Sequence, residues 1–197
     1  MDAAITNNTN NTNKKGRGTL LASMLLSAPG PLVLGIGLIF GRSSAQIADL
    51  IRRSVEFAAI VIAFICYKED GERERKASRL SSGVAMCVAA VAVTMATAFK
   101  GGQSGSVILP LIIALLGAIT NGYFAVRFTR MKEGGILETQ ARLYTSKAFV
   151  DVCVCAALLA VTMASGAAWA RYMDIGGSVI VSLYLIISGI RLCVSAK

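Results

Sequence analysis

The sequence contains no histidine, and charged residues make up only 16 % of it. Histidine is the side chain that most often serves as a general acid or base, so its absence removes the commonest means of enzymatic proton transfer. A nucleophile elbow, a cluster of metal-ligand residues and a glycine-rich phosphate loop are missing as well. We therefore expect a protein that is not an enzyme and that carries no cofactor.

The low charge also argues against a soluble domain, which would need charged residues over its surface. Hydrophobic residues instead make up 55 % of the 197 residues, and the mean hydropathy is +0.64. They fall in blocks of about 20 residues, the length that crosses a hydrocarbon core about 30 Å thick. We expect an all-α, polytopic integral membrane protein with six transmembrane helices. Their predicted bounds are residues 19–40, 44–67, 80–99, 107–126, 139–166 and 173–194.

Basic residues sort to one side of these six spans. Fourteen lie before the first span, between the second and third, around the connection from the fourth to the fifth, or near the C-terminus. Only Arg42, Lys100 and Arg171 lie on the other side. The positive-inside rule predicts that both termini are cytoplasmic, in a cell membrane or an organelle-like inner membrane. The sorting argues against nucleic-acid binding, which needs basic residues gathered on one stripe.

The remaining segments have simpler interpretations. Residues 1–18 are rich in Asn and Thr and are predicted to form a disordered cytoplasmic tail. Residues 68–76 carry charges of both signs and are predicted to form a solvated loop, and no soluble domain is expected after the sixth span. Pro29 and Pro31 should kink or interrupt the first span. Gly83 should let a neighbouring helix approach the third span closely, and the five cysteines should pack as small apolar residues.

Ionisable side chains lie away from the ends of two of the spans, although each costs roughly 2.5–3.5 kcal/mol at the bilayer centre. Span two contains four of them at spacings of three and four residues, which place opposite charges side by side on a helix. These four are Asp49, Arg52, Arg53 and Glu56. Span five contains Lys147 and Asp151, one turn apart and able to pair, and span four contains the single amide Asn121. Such costly residues are functional candidates by default.

The motifs around these residues resemble those of the cation diffusion facilitator family, whose members export divalent metal ions in exchange for protons. The second span of that family is similar to residues 41–56, where Gly-Arg-Ser-Ser-Ala-Gln-Ile-Ala-Asp-Leu-Ile-Arg-Arg-Ser-Val-Glu stands. The fifth is similar to residues 139–147, Thr-Gln-Ala-Arg-Leu-Tyr-Thr-Ser-Lys, and the sixth to Trp169 through Asp174 with Ser188-Gly189. The resemblance covers roughly residues 20–194. It implies a cation-efflux-like bundle of six helices.

The resemblance also implies where a transported metal ion would bind. In the family, two ligands from span two and two from span five converge on one tetrahedral ion, and the corresponding positions here are Arg52, Glu56, Leu143 and Lys147. Together they sum to a charge of +1. With an effective dielectric of about 20 and a separation of about 4 Å, a dication beside Arg52 would meet a repulsion of about 8 kcal/mol. Arg52 cannot lose its proton, and Leu143 has no lone pair, so this set should not bind zinc.

Three hypotheses are consistent with this site. In the first, transport persists with altered chemistry: Glu56, Asp49 and Asp151 handle a proton or another cation, while Arg52 and Lys147 act as built-in counter-ions. In the second, a salt-bridge network of Arg52, Glu56 and Lys147 has replaced the metal. The protein is then a non-transporting partner subunit or membrane scaffold, forming a homodimer or a heterodimer with a related transporter. In the third, the charges only fix the packing register of a generic six-helix bundle.

Overall fold

The computed structural model describes residues 2–40, 44–69, 71–98, 108–131, 135–163 and 168–196. Within these ranges the chain forms α-helices joined by short turns, and no strand occurs, which confirms the all-α prediction for this part of the chain. The helices are α1 (Asp2–Ser27), α2 (Pro29–Phe40), α3 (Ser44–Cys66), α4 (Glu72–Ala98), α5 (Ile108–Arg130), α6 (Ile136–Met163) and α7 (Ala168–Val194).

Three of the described helices contain segments long and apolar enough to cross a membrane. These segments are Glu72–Met95 in α4, Leu111–Arg130 in α5 and Gly176–Val194 in α7. Their length and composition suggest a membrane protein. The charged residues of α3 and α6 lower the apolar character of those two helices, and α2 has only 12 residues.

The N-terminal segment differs from its prediction as a disordered tail. Residues 2–18 are helical and form the first part of α1. Gly16 lies directly against the hydroxyl group of Tyr67 and close to Leu137, so this part of α1 touches the end of α3 and the start of α6. A side chain larger than hydrogen at position 16 would collide with Tyr67. The contact shows that a polar sequence can join a bundle where its backbone approaches a neighbour closely.

The loop predicted at residues 68–76 is shorter than expected, because α4 already begins at Glu72. Glu72 and Glu74 lie in the first turn, where negative charge interacts favourably with the helix dipole. Lys76 forms an ion pair with Glu72 one turn away, with 3.1 Å between Nζ and Oε1. The charges that look like a solvated loop in the sequence therefore stabilise the start of a helix.

The predicted interruption of the first span is confirmed. Helix α1 ends at Ser27, Ala28 forms a turn, and α2 begins at Pro29. Proline lacks an N–H group and is tolerated at the start of a helix, where that group has no intrahelical partner. The backbone N–H of Ala28 still donates to the carbonyl oxygen of Met24 at 3.0 Å, which closes the last turn of α1.

The helices pack mainly in three pairs: α3 with α4, α5 with α6, and α4 with α7. Helix α6 also contacts α4 and α7, and it meets α3 over a small area. An aromatic cluster joins α5 to α6, because the Tyr144 ring lies 5.3 Å from that of Phe124 and 5.5 Å from that of Phe128. Helix α6 therefore contacts four other helices, and its residues Lys147 and Asp151 are largely buried among them.

Residue size and polarity are distributed differently inside and outside this bundle than in a water-soluble protein. Small residues dominate the buried positions, which include nine alanines and several serines. Large aliphatic side chains are exposed, among them Leu115, Leu116, Ile119, Ile187 and Ile190. In water such a surface would be costly, whereas in lipid it is favourable and small residues allow helices to approach. The distribution agrees with a membrane environment.

Several helix ends meet at one end of the bundle, which we call the basic end. Gly16 of α1 contacts Tyr67 at the end of α3 and Leu137 at the start of α6. Arg79 of α4 donates a 3.0 Å hydrogen bond from Nη1 to the carbonyl oxygen of Ser195, beyond α7. The basic end carries Lys15, Arg17, Lys68, Arg73, Arg75, Lys76, Arg79, Arg127, Arg130, Arg142 and Arg191.

Candidate functional site

The candidate site is centred on an ion pair between α3 and α6. Lys147 Nζ lies 3.4 Å from Glu56 Oε2, and the two side chains are 13 % and 9 % exposed, respectively. Helix α6 supplies the cation and α3 supplies the anion, so the contact links two helices that otherwise share little surface. Such a pair, removed from water, neutralises two charges that would each be costly alone.

Tyr144 supports the lysine from the same face of α6. The ammonium group of Lys147 lies 5.0 Å from the centroid of the Tyr144 ring, within the range of a cation–π interaction. The Tyr144 hydroxyl donates to the carbonyl oxygen of Ser23 at 3.3 Å and lies 3.2 Å from Ser27 Oγ. This buried tyrosine therefore connects the lysine to α1, just before the turn that precedes Pro29.

A second polar contact lies one turn further along α6. Asn121 Nδ2 of α5 donates a hydrogen bond of 2.6 Å to Asp151 Oδ2, and Asp151 is buried. A Cβ atom at Gly117, one turn before Asn121, would lie 2.8 Å from the same oxygen. Gly117 thus leaves the space that the carboxylate occupies. The sequence predicted that Lys147 and Asp151 could pair, but within the described residues the lysine contacts Glu56 and the aspartate contacts Asn121.

The two arginines of α3 lie beside these contacts. Arg52 and Arg53 are half-buried, and both are close enough to Asp151 for their charges to act on it. The side chain of Arg53 also runs past Gly30 of α2, where a Cβ atom would meet its Cδ at 3.4 Å. The side chain of Asp49 lies outside the part of the chain that the structure describes. Its predicted role as a supporting residue stays a prediction.

The donor set does not fit a divalent metal ion. Leu143, at one of the four positions implied by the family resemblance, is 1 % exposed and belongs to the apolar core. Lys147 presents an ammonium group that is already paired with Glu56. Within the described residues, no group of three or more His, Cys, Asp or Glu side chains is arranged to hold a metal ion. The site instead presents the carboxylate of Glu56 paired with the ammonium group of Lys147.

Sequence reasoning missed two residues of this site, Tyr144 and Gly117. Tyr144 stands inside the motif that carries the family resemblance, yet its hydroxyl contacts depend on where α1 ends. Gly117 could have been found from spacing, because it stands four residues before Asn121 and so lies on the same face of α5.

No protein-family model and no curated protein matches this chain.

Proposed function

We propose that this chain is a polytopic membrane protein that crosses the bilayer six times, with α1 and α2 together forming the first crossing. The aliphatic exterior and the small-residue interior support a bilayer as its surroundings. The basic end then faces the cytoplasm, in accordance with the positive-inside rule. Helices α3 and α6 complete the count because the charges midway along them, Glu56, Lys147 and Asp151, lie within the bundle and not on its lipid-facing surface.

We propose further that the protein is a proton-coupled cation transporter of the cation-efflux type. The observation that carries this proposal is the buried ion pair between Glu56 and Lys147 at the contact of α3 with α6. Ionisable residues within membrane helices are costly, and they commonly mark pathways for ions or protons. The pair also stands at two of the four positions that the family resemblance implies. A lysine there supplies the positive charge that a bound metal ion would otherwise bring.

The chemistry of the pair couples a cation to a proton. In the paired state the ammonium group neutralises the carboxylate and holds α6 against α3. A cation that binds to Glu56 displaces the ammonium group and any proton on the carboxylate, since one carboxylate oxygen cannot hold both. Cation entry and proton release are thereby linked at one carboxylate. When the cation leaves, the ammonium group of Lys147 pairs with Glu56 again.

Flux measurements on the full chain in liposomes test this proposal. Vesicles that enclose a pH-sensitive dye receive an inward gradient of sodium, potassium, manganese or zinc ions in turn. We expect proton movement with at least one cation, and we expect Glu56→Gln to abolish it because the carboxylate is lost. Glu72→Gln is the matched control, since Glu72 is exposed at the basic end and forms an ion pair with Lys76 one turn away. Its flux should equal that of the wild type.

Wild-type vesicles without proton flux under every gradient would overturn the transport proposal. They would favour a second candidate function, that of a non-transporting partner subunit or scaffold. Leu143 is the observation that favours this second function, because a buried aliphatic side chain stands where the family resemblance implies a ligand. A scaffold of this kind should form a stable dimer in mild detergent. Light scattering coupled to size-exclusion chromatography would detect that dimer.

A further inference from the structure

A cavity of about 610 Å³ opens at the basic end between α4, α5, α6 and α7, away from the Glu56–Lys147 pair. Its α6 wall includes Glu138, Arg142 and Thr145, and its α7 wall includes Tyr184 and Arg191. On each helix these residues are three, four or seven positions apart and so share one face. The cavity is therefore formed by side chains that two neighbouring helices present to each other.

The charged residues of the cavity all lie at its mouth. Arg191 is in the last turn of α7, and Glu138 and Arg142 are in the first two turns of α6. Tyr184 lies seven residues before Arg191, which places it about 10 Å further into the bundle. Met86 and Phe128, which are almost completely buried, border the cavity on its inner side. The cavity has a polar, basic opening and a largely apolar interior.

The arginines at the mouth leave one positive charge uncompensated. Arg142 Nη2 donates to Glu138 Oε1 at 2.8 Å, so that pair is neutral. Among the described residues, the guanidinium group of Arg191 makes no ion pair. The nearby hydroxyl groups of Thr145 and Ser146 donate to carbonyl oxygens of their own helix. A ligand at the mouth would thus meet guanidinium donors and a net positive charge.

We propose that this cavity binds a phosphate group, carried by an anionic phospholipid or by a small soluble phosphate ester, with Arg142 and Arg191 as its ligands. Guanidinium groups bind phosphate oxygens through charge-assisted hydrogen bonds. Basic pockets between membrane helices on the cytoplasmic side commonly hold lipid headgroups. The apolar interior favours the phospholipid as the source, because an acyl chain can lie against the half-buried ring of Tyr184. The site is separate from the transport site and does not depend on transport.

Native mass spectrometry of the full chain in mild detergent tests the proposal. The probes are phosphatidylglycerol, phosphatidylcholine and inorganic phosphate. We expect phosphatidylglycerol to bind about tenfold more tightly than phosphatidylcholine, because its headgroup has a net negative charge and the mouth of the cavity a net positive one. Arg142→Gln and Arg191→Gln should each weaken binding by about tenfold through loss of a charge-assisted hydrogen bond. Arg130→Gln is the matched control, because Arg130 is exposed in the last turn of α5 and does not line the cavity.

A further variant, Thr145→Phe, keeps both arginines and fills the cavity. It should lower binding at least as much as Arg191→Gln, and it keeps the test decisive if an arginine variant fails to fold. Excess inorganic phosphate distinguishes the sources: a lipid source predicts retention of phosphatidylglycerol, and a soluble source predicts its displacement with the same arginine dependence. Binding that Thr145→Phe leaves unchanged, or that Arg130→Gln lowers as much as Arg191→Gln, would overturn the proposal.

Discussion

Glu56 and Lys147 illustrate at the scale of single residues why a buried ion pair differs from one in water. Both side chains are largely removed from solvent, and their charged atoms lie 3.4 Å apart. Removal of one partner leaves the other charge buried without compensation, which typically costs about 3–5 kcal/mol. Removal of both leaves two neutral groups and costs far less. The pair is therefore expected to show strong non-additivity.

We predict that Glu56→Gln and Lys147→Met each destabilise the protein by about 3–5 kcal/mol, as expected for an unpaired buried charge. The double variant should cost less than the sum of the two. Thermal unfolding in detergent, followed by circular dichroism, measures all three variants under one condition. Glu72→Gln serves as the control and should change stability by less than about 1 kcal/mol, as is usual for an exposed pair. Additive costs would contradict the contact between α3 and α6.

Gly117 and Gly122 offer a matched pair of substitutions on α5. A Cβ atom at Gly117 would lie 2.8 Å from Asp151 Oδ2, whereas one at Gly122 meets nothing within 4 Å. We predict that Gly117→Ala destabilises the protein by about 1–3 kcal/mol, because the carboxylate must move away from Asn121. Gly122→Ala should be neutral or stabilising by up to about 1 kcal/mol from helix propensity. Equal melting temperatures for the two variants would contradict the position of Asp151 against α5.

At the scale of helices, the contact between α4 and α7 depends on two glycines, as the sequence predicted for Gly83. A Cβ atom at Gly83 would lie 2.8 Å from the carbonyl oxygen of Gly189, and one at Gly189 would lie 2.7 Å from that of Gly83. The two backbones thus approach each other directly at these glycines, and the thiol groups of Cys193 and Cys87 lie beside them. Small residues at such crossings allow the close packing that drives helix association in membranes.

We predict that Gly83→Ala and Gly189→Ala each destabilise the protein by about 1–3 kcal/mol, because α4 and α7 must separate to admit the methyl group. The second substitution should cost less in the presence of the first, since the helices are already apart. Gly177→Ala on α7 is the control, because its Cβ atom would meet nothing within 4 Å. Thermal unfolding in detergent measures the set. A loss for Gly177→Ala equal to that for Gly83→Ala would indicate a general effect of alanine in α7.

The sequence predicted helices better than it predicted their ends and contacts. The proline that separates α1 from α2 acts through its own covalent geometry, so its effect is visible in the sequence. The start of α4 at Glu72 was missed, because alternating charges fit a solvated loop and a helix start equally well. The contact between Asn121 and Asp151 depends on how α5 lies against α6. Such packing contacts depend on the arrangement of the whole bundle. In the sequence, only the spacing between residues indicates them.

At the scale of the whole molecule, the number of membrane crossings determines which helix ends lie on the same side of the membrane. Helix α4 has 27 residues, so it extends about 40 Å and is longer than the hydrocarbon core of about 30 Å. Lys68, just before α4, and Ser195, just after α7, both lie at the basic end. With six crossings they lie on the same side of the membrane. If only α4, α5 and α7 crossed, the odd number would place them on opposite sides.

We predict that Lys68→Cys and Ser195→Cys are labelled from the same side, and Ala98→Cys from the other. Each cysteine is introduced singly after the five native cysteines have been replaced. A membrane-impermeant maleimide applied to right-side-out vesicles should label Ala98→Cys at once and the other two only after permeabilisation, because the positive-inside rule predicts that the basic end faces the cytoplasm. Labelling of Lys68→Cys and Ser195→Cys from opposite sides would refute six crossings. Labelling of both from outside would keep the number of crossings and reverse the orientation.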